Sequence, residues 1–471
     1  MNLLQYKYQE NPMNETDGRK RRRNMKSRVI SILLTATMGA TLLAGCGSGT
    51  AATSDAASSS GGAEASAPAA SADGEDVTIT YWGWDSDYYE PMFAAYSAEH
   101  PNVHFEPTAT EWGDMLTKAQ QALASGSELP VLLPMDLSLI ENWKTMDILE
   151  DLTQYGINAD DYADALSVKT LTADGKDIGV VENVCPAGIA YKRDLAKEYF
   201  GTDDPDELFK IFNSYDAYVE KGKEVADKSG GSVKLFHSAQ SISEWFYFAS
   251  EVPTQTDNTL NYTEKMTDVF TKTIALRDAD AVDTYANGTP EANATYADDT
   301  HIFYHNPDWA NTYYIEGNDP DGAGNWGLMH APVDYSCGGT AIGITSASTD
   351  AQKQAAADFI IWATQGDGAK VARDETGFIS AYKELMNDKE FSKRSDEDFF
   401  GGEDISTLYY TEIADNMKIA ASSPWENAMV TVRNDVAQQI VDDPSIDLDK
   451  ALELGKEELT QLVTDSTIEI K

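Results

Sequence analysis

Val77-Thr78-Ile79-Thr80-Tyr81-Trp82 alternates β-branched and apolar residues with polar ones, which predicts a half-buried strand. Pro91 stands where a helix would start, and Met92, Phe93 and Tyr96 give that helix an apolar face as far as Pro101. Val103-His104-Phe105 reads as a second strand. Met115, Leu116, Ala119, Ala122 and Leu123 then follow helical spacing up to Gly126. Val131-Leu132-Leu133-Pro134-Met135 is an apolar run short enough for a buried strand. The order β-α-β-α-β predicts an α/β unit with a mostly parallel sheet. Trp82, Trp84 and Asp136 fall just past the carboxyl ends of its strands, where open α/β sheets take their ligands.

Beyond this unit, 207–226, 241–250 and 262–277 carry helical patterns, and Ile302-Phe303-Tyr304 reads as a strand. Gly338-Gly339-Thr340-Ala341-Ile342-Gly343-Ile344 is a strand entered through glycines. Ala356, Phe359, Ile360 and Ala363 then form a helix face stopped by Gly366, and 408–462 reads as helical and acidic. The span from Asp76 to Lys471 exceeds what one hydrophobic core usually serves, so two lobes are expected.

Upstream, Arg19-Lys20-Arg21-Arg22-Arg23 precedes an apolar run of 16 residues, Val29 to Ala44, interrupted by Ser31, Thr35, Thr37, Gly39 and Thr41. That is shorter and more polar than a spanning helix, which takes roughly 20 apolar residues, and it has the anatomy of a secretory signal. Leu43-Ala44-Gly45-Cys46 closes it and resembles the lipobox of bacterial lipoproteins, which implies lipidation of Cys46. Residues 1–45 are then a signal peptide, and Met25 opens a complete signal by itself. Residues 46–75 are almost wholly small or acidic, without a ring among them, and read as a flexible tether.

The formal net charge is −44; residues 1–45 are +5, so about −49 resides beyond them. Such a surface repels phosphate backbones and anionic lipid heads, which argues against nucleic acid and peripheral membrane binding. Cys185 and Cys337 have neither zinc nor redox spacing; one disulfide and two buried thiols both stand open. No HExxH, G-x-S-x-G or P-loop pattern is present, and His301 and His305 fall on a strand that separates them, so neither a metal nor a cofactor is expected.

Several segments together resemble the family 1 extracellular solute-binding proteins, the sugar receptors of ABC importers. They are Ile79-Thr80-Tyr81-Trp82-Gly83-Trp84, Lys118 through Gly126 with Leu129-Pro130-Val131, and Gly188-Ile189-Ala190-Tyr191-Lys192-Arg193-Asp194-Leu195. Asn325-Trp326-Gly327 with Gly338-Gly339-Thr340, Phe378-Ile379-Ser380-Ala381 and Pro424-Trp425 complete the series in the family's order. The sequence departs from the pattern at Lys192-Arg193 and at Cys337.

The resemblance implies a type II periplasmic-binding-protein-like α/β fold, with a ligand cleft between two lobes that close by hinge bending. Lobe one would be 76–183 plus 338–380, and lobe two 184–337 plus 381–471. It implies no catalysis: a lipid-anchored monomer on the outer face of the cell membrane would hand a carbohydrate to the permease subunits. A tethered glycoside hydrolase and a receptor for a non-sugar solute are the alternatives.

A sugar offers hydroxyls at its edge and weakly apolar faces, so it calls for rings beside carboxylates or amides. Trp82 and Trp84 with Asp85 and Asp87 supply that pairing, as do Glu111-Trp112; Glu182 lies at the first crossover, near the expected cleft floor. Trp245, Trp309, Trp425 and the pair Gly338 and Gly339 match ligand positions by the resemblance alone, and Asp136, already placed at a strand end, matches the family's ligand carboxylate. Trp143, Trp326 and Trp362 fall in apolar periodic faces or structural turns and are expected to pack. The number of stacking rings suggests an oligosaccharide.

Overall fold

The computed structural model describes residues 76–84, 86–163 and 171–471. The expected signal peptide and tether, with Cys46, lie outside the described residues, as do Asp85 and the side chain of Asp87. In chain order the elements that position the site begin with β1 (Val77–Gly83), α1 (Ser86–Glu99), β2 (Val103–Ala109), α2 (Met115–Ser125) and β3 (Leu132–Asp136). There follow β4 (Val180–Val181), β5 (Pro186–Lys192), α3 (Tyr215–Ser229), α4 (Ala239–Phe248) and α5 (Tyr262–Asp278). The series ends with β6 (Phe303–Pro307), β7 (Trp326–Met329), β8 (Tyr335–Ser336), β9 (Thr340–Ile344), α6 (Asp350–Gln365) and α7 (Glu426–Asp442).

Two sheets carry the molecule. The first has the order β2-β1-β3-β9-β4; β1 is parallel to β2 and β3, whereas β9 runs antiparallel to both β3 and β4. β9 is therefore a returning strand: the chain leaves this sheet after β4, builds the second sheet and comes back. The second sheet has the order β6-β5-β7, with β8 also paired to β5. Every residue of β5 is buried, as the apolar run 187–190 suits a central strand, and Lys192 at its end is buried with them.

The outgoing and returning segments run side by side. Cys337 N–H donates to Cys185 O at 3.1 Å, Ser336 Oγ to Val184 O at 2.9 Å and Thr340 N–H to Asn183 Oδ1 at 3.0 Å. Ala381 N–H reaches Glu182 O at 2.9 Å, bringing a third segment to the same place. Cys185 and Cys337 are both buried and are not joined by a disulfide.

Two buried clusters hold the sheets: one packs on the first sheet and takes in Ala190, Tyr304 and Trp326 of the second, and the other lies against the second sheet alone. Beside the first, Phe93 stacks on Phe105 at 4.2 Å and lies 5.3–5.6 Å from Tyr81, Tyr89 and Phe359. Rings buried to this degree contribute about 1.5–3 kcal/mol each. The second core gathers Phe212, Tyr218, Phe236, Trp245 and Phe303. Trp143 and Trp326 are fully buried, and Trp362 is half-buried with its indole N–H on Glu99 at 3.2 Å. Among the described residues no helix is long and apolar enough to cross a membrane.

Three local expectations are corrected. α1 begins at Ser86, not at Pro91, which sits inside it. The early start buries Tyr88 and Tyr89 against Tyr81 and Phe378, and that gain outweighs the hydrogen bond that proline cannot make. The pattern over 207–226 divides into Pro205–Ile211 and α3, because Ser214 caps α3 by accepting from Ala217 N–H. The stretch 408–462 is not continuously helical either: 417–423 is irregular before α7 begins at Glu426.

His330 ties two of these segments together, hydrogen-bonding Asp334 at 2.8 Å and Glu412 at 3.0 Å. The bond to Asp334, opposed by burial and aided by Glu412, raises its pKa. A raised folded pKa gives stability that is complete below the unfolded value, about 6.5, and fades as pH climbs through the folded one. Between about pH 6 and 8 the melting temperature of the wild type should therefore fall more than that of His330→Gln. Parallel curves in a differential scan would refute the assignment.

Candidate functional site

The floor of the site lies where the crossing segments leave the first sheet. Glu182 follows β4 directly, and its main chain is fixed between Thr340 O, which accepts its N–H at 2.8 Å, and Ala381 N–H. Its carboxylate is buried and accepts from Tyr89 OH. Burial first, then the Glu182 charge, pushes the Tyr89 hydroxyl well above its usual pKa, so it stays a donor. Asn183 spends Oδ1 on Thr340 N–H, fixing its amide. With Trp84, Tyr88 and Thr340 these residues line one small pocket, with free room of about 20 Å³. A ring, a carboxylate and an amide thus face one space, a set able to stack on an apolar face and bind hydroxyls.

At the end of β3, Asp136 is held twice. Trp112 Nε1–H donates to Oδ2 at 2.9 Å, while Ser138 donates its N–H to Oδ1 at 2.7 Å together with its hydroxyl. Trp112 itself is 41% exposed, so the pair presents a ring at the surface with its indole pinned by a carboxylate. The sequence pairs Trp112 with Glu111; the fold pairs it with Asp136. Trp82 stands apart, with Lys118 Nζ 4.0 Å from its ring centroid and the same ammonium donating to Thr110 Oγ1 at 2.6 Å. One face of Trp82 is therefore already covered.

The glycine pair lets the returning segment pass. Gly338 and Gly339 adopt φ of +96° and +102°, conformations that side chains rarely tolerate. A Cβ on Gly338 would lie 3.0 Å from Trp309 Nε1, and one on Gly339 2.6 Å from Leu137 Cδ1. Trp309 donates its indole N–H to Cys337 O at 3.0 Å, so its polar edge serves the crossover. Trp425 is half-buried against the second core; beside it, Asn142 Nδ2 donates to Pro424 O at 3.1 Å, a bond from the first sheet's side to the 417–425 segment.

Trp245 is a correction. It is 0% exposed, with Tyr215, Tyr218 and Phe246 at 4.9–5.3 Å between ring centroids, and it has no surface to offer a ligand. α4 packs it into the second core instead.

A second small pocket, with free room of about 20 Å³, was not foreseen from sequence. Ser138, Ser336, Phe248, Ser422, Lys265 and Glu426 are among its lining residues. Tyr247 OH donates to Glu426 Oε1 at 2.6 Å, and burial pulls Lys265 down to about 8. Its members come from five separate segments, which is why no local pattern announced it.

A family model described as bacterial extracellular solute-binding protein matches residues 91–398. The lactose-binding protein of Rhizobium radiobacter is 24% identical over 360 residues, 69% of this chain and 80% of its own length. Among solved structures, the galacto-N-biose/lacto-N-biose I-binding protein of an ABC transporter from Bifidobacterium longum, in complex with lacto-N-biose, superposes with a TM-score of 0.68. It is 19% identical and covers 85% of this chain and 100% of its own. An ABC-transporter-associated binding protein from B. animalis subsp. lactis, in complex with β-1,6-galactobiose, gives 0.63 at 19% identity over 84% and 100%.

Proposed function

Since the chain belongs to the bacterial extracellular solute-binding proteins, we propose that it captures a carbohydrate for an ABC importer, binding without turnover. The observation that carries this reading is the cavity where Trp84 meets Glu182 and Asn183 at the crossing segments. An aromatic face, a buried carboxylate with a fixed donor, and an oriented amide are what a pyranose asks of a protein. A di- or oligosaccharide is the class favoured, because relatives are named for lactose, lacto-N-biose, β-1,6-galactobiose and cyclic α-maltosyl-1,6-maltose.

The two lobes, 76–183 plus 338–380 and 184–337 plus 381–471, would close over the sugar by bending at the adjacent segments around Glu182 and Ser336. Asp136 with Trp112, Trp309 and Trp425 would border the ligand, with Asp85 and Asp87 just beyond β1 in sequence. The protein would act as a monomer, anchored through Cys46 outside the cell, and pass its cargo to the permease.

The test is a thermal-shift and calorimetric panel on the full chain: lactose, lacto-N-biose, β-1,6-galactobiose, maltose and free hexoses. A ligand at a hundredfold its Kd stabilises the folded state by about 2.7 kcal/mol. A shift with one disaccharide class, and intact sugar afterwards, is the expected result. Silence across the panel would refute the carbohydrate reading, and released monosaccharide would make the protein a hydrolase.

A further inference from the structure

Glu244, His305 and Cys337 come together from α4, β6 and the segment between β8 and Gly338, with one ligand atom of each within 4.8 Å of the others. His305 is 6% exposed, and its two nitrogens are differently placed. Nδ1 hydrogen-bonds Tyr335 OH at 2.5 Å, which sets the ring's orientation. Nε2 is buried without a hydrogen-bond partner; its neighbour is Glu244 Oε2 at 3.6 Å. That spacing is too long for a hydrogen bond and close to the edge of a tetrahedral metal site, roughly 3.4 Å for ligands about 2.1 Å from the ion. A buried imidazole nitrogen is thus aimed at a carboxylate beside a thiol.

We infer that Glu244, His305 and Cys337 form a binding site for a borderline transition-metal dication of the Zn²⁺ or Co²⁺ type. Imidazole and thiolate select such ions over Ca²⁺ and Mg²⁺, which take oxygen ligands. Tyr335 supplies the outer hydrogen bond that a ligating histidine usually has. Arg433 approaches the other Glu244 oxygen, Oε1, at 3.4 Å and leaves Oε2 for the metal. Glu244 is partly exposed, so its side chain can swing inward by the ångström or so that the cluster must contract. Binding converts the Cys337 thiol to thiolate and releases one proton. None of the three residues lines the proposed carbohydrate pocket.

The probe is Co²⁺, titrated anaerobically as its chloride into reduced full chain carrying Cys46→Ser. One equivalent should produce a near-ultraviolet thiolate-to-cobalt band with visible d–d bands, and Zn²⁺ should bleach both. Cys185→Ser should keep the band and Cys337→Ser lose it. His305→Gln should weaken binding by at least about tenfold. Glu244→Gln, nearly unchanged in size, serves as the variant least apt to perturb folding and should weaken Co²⁺ likewise. No thiolate band, a band that follows Cys185, or an affinity untouched in both His305→Gln and Glu244→Gln would overturn the assignment.

Discussion

Replacing Arg394 with methionine is expected to lower unfolding stability by about 3–5 kcal/mol, the usual cost of stripping one partner from a buried ion pair. Arg394 grips Asp396 with two bonds, Nε to Oδ1 at 2.8 Å and Nη2 to Oδ2 at 2.6 Å, and its side chain is 1% exposed. Nη1 donates to Tyr410 OH at 3.0 Å, and that hydroxyl donates to Asp308 Oδ2 at 2.8 Å. Asn311 Nδ2 closes the network on Asp396 Oδ2 at 3.0 Å. Methionine fills the volume but leaves two buried carboxylates without a cation. For about 400 ordered residues, each gaining roughly 2 cal/mol/K on unfolding, the melting temperature should fall by about 5 °C.

The pH dependence follows from the same pair. Burial would raise the Asp396 pKa, but the Arg394 charge and its hydrogen bonds outweigh this and hold it below the usual carboxylate value. A depressed folded pKa gives stability that is present above the unfolded value, about 3.9, and is lost as pH falls through the folded one. The gap between wild type and Arg394→Met should therefore be full at neutral pH and narrow toward pH 3, where the orphaned carboxylates protonate. Guanidinium unfolding at several pH values measures it; a deficit under 1 kcal/mol at pH 7 would contradict the account.

How far the sequence reaches depends on how local the information is. β1, β3 and β9 were legible because alternation, a short apolar run and a glycine entry are properties of five to seven consecutive residues. Glu182 was reached from the position of the crossover. Tyr89, which holds its carboxylate, was not, because a helix read as starting at Pro91 excludes it. The Trp112–Asp136 bond spans 24 positions and has no signature in either neighbourhood. In Trp245-Phe246-Tyr247-Phe248 the rings follow one another, so no period separates those that line a pocket, Tyr247 and Phe248, from those in the core, Trp245 and Phe246. The resemblance chose Trp245, and the fold buries it.

Trp84→Ala should weaken carbohydrate binding by roughly 50–100-fold while leaving the fold intact. A tryptophan carries about 200 Å² of surface, and a sugar stacked on one face covers about half. At about 25 cal/mol per Å² that contact is worth about 2.5 kcal/mol. Trp84 is half-buried against the first core, so part of the ring stays packed whether or not a ligand is present. Trp84→Phe keeps a flat face and should recover most of the affinity. Trp245→Phe is the counterpart: it loosens the second core, lowering stability by about 1–3 kcal/mol, with no change in Kd. Calorimetry and melting curves on the three variants separate the two roles. An unchanged Kd in Trp84→Ala would remove that ring from the site, and a large Kd change in Trp245→Phe would show that the second core governs binding.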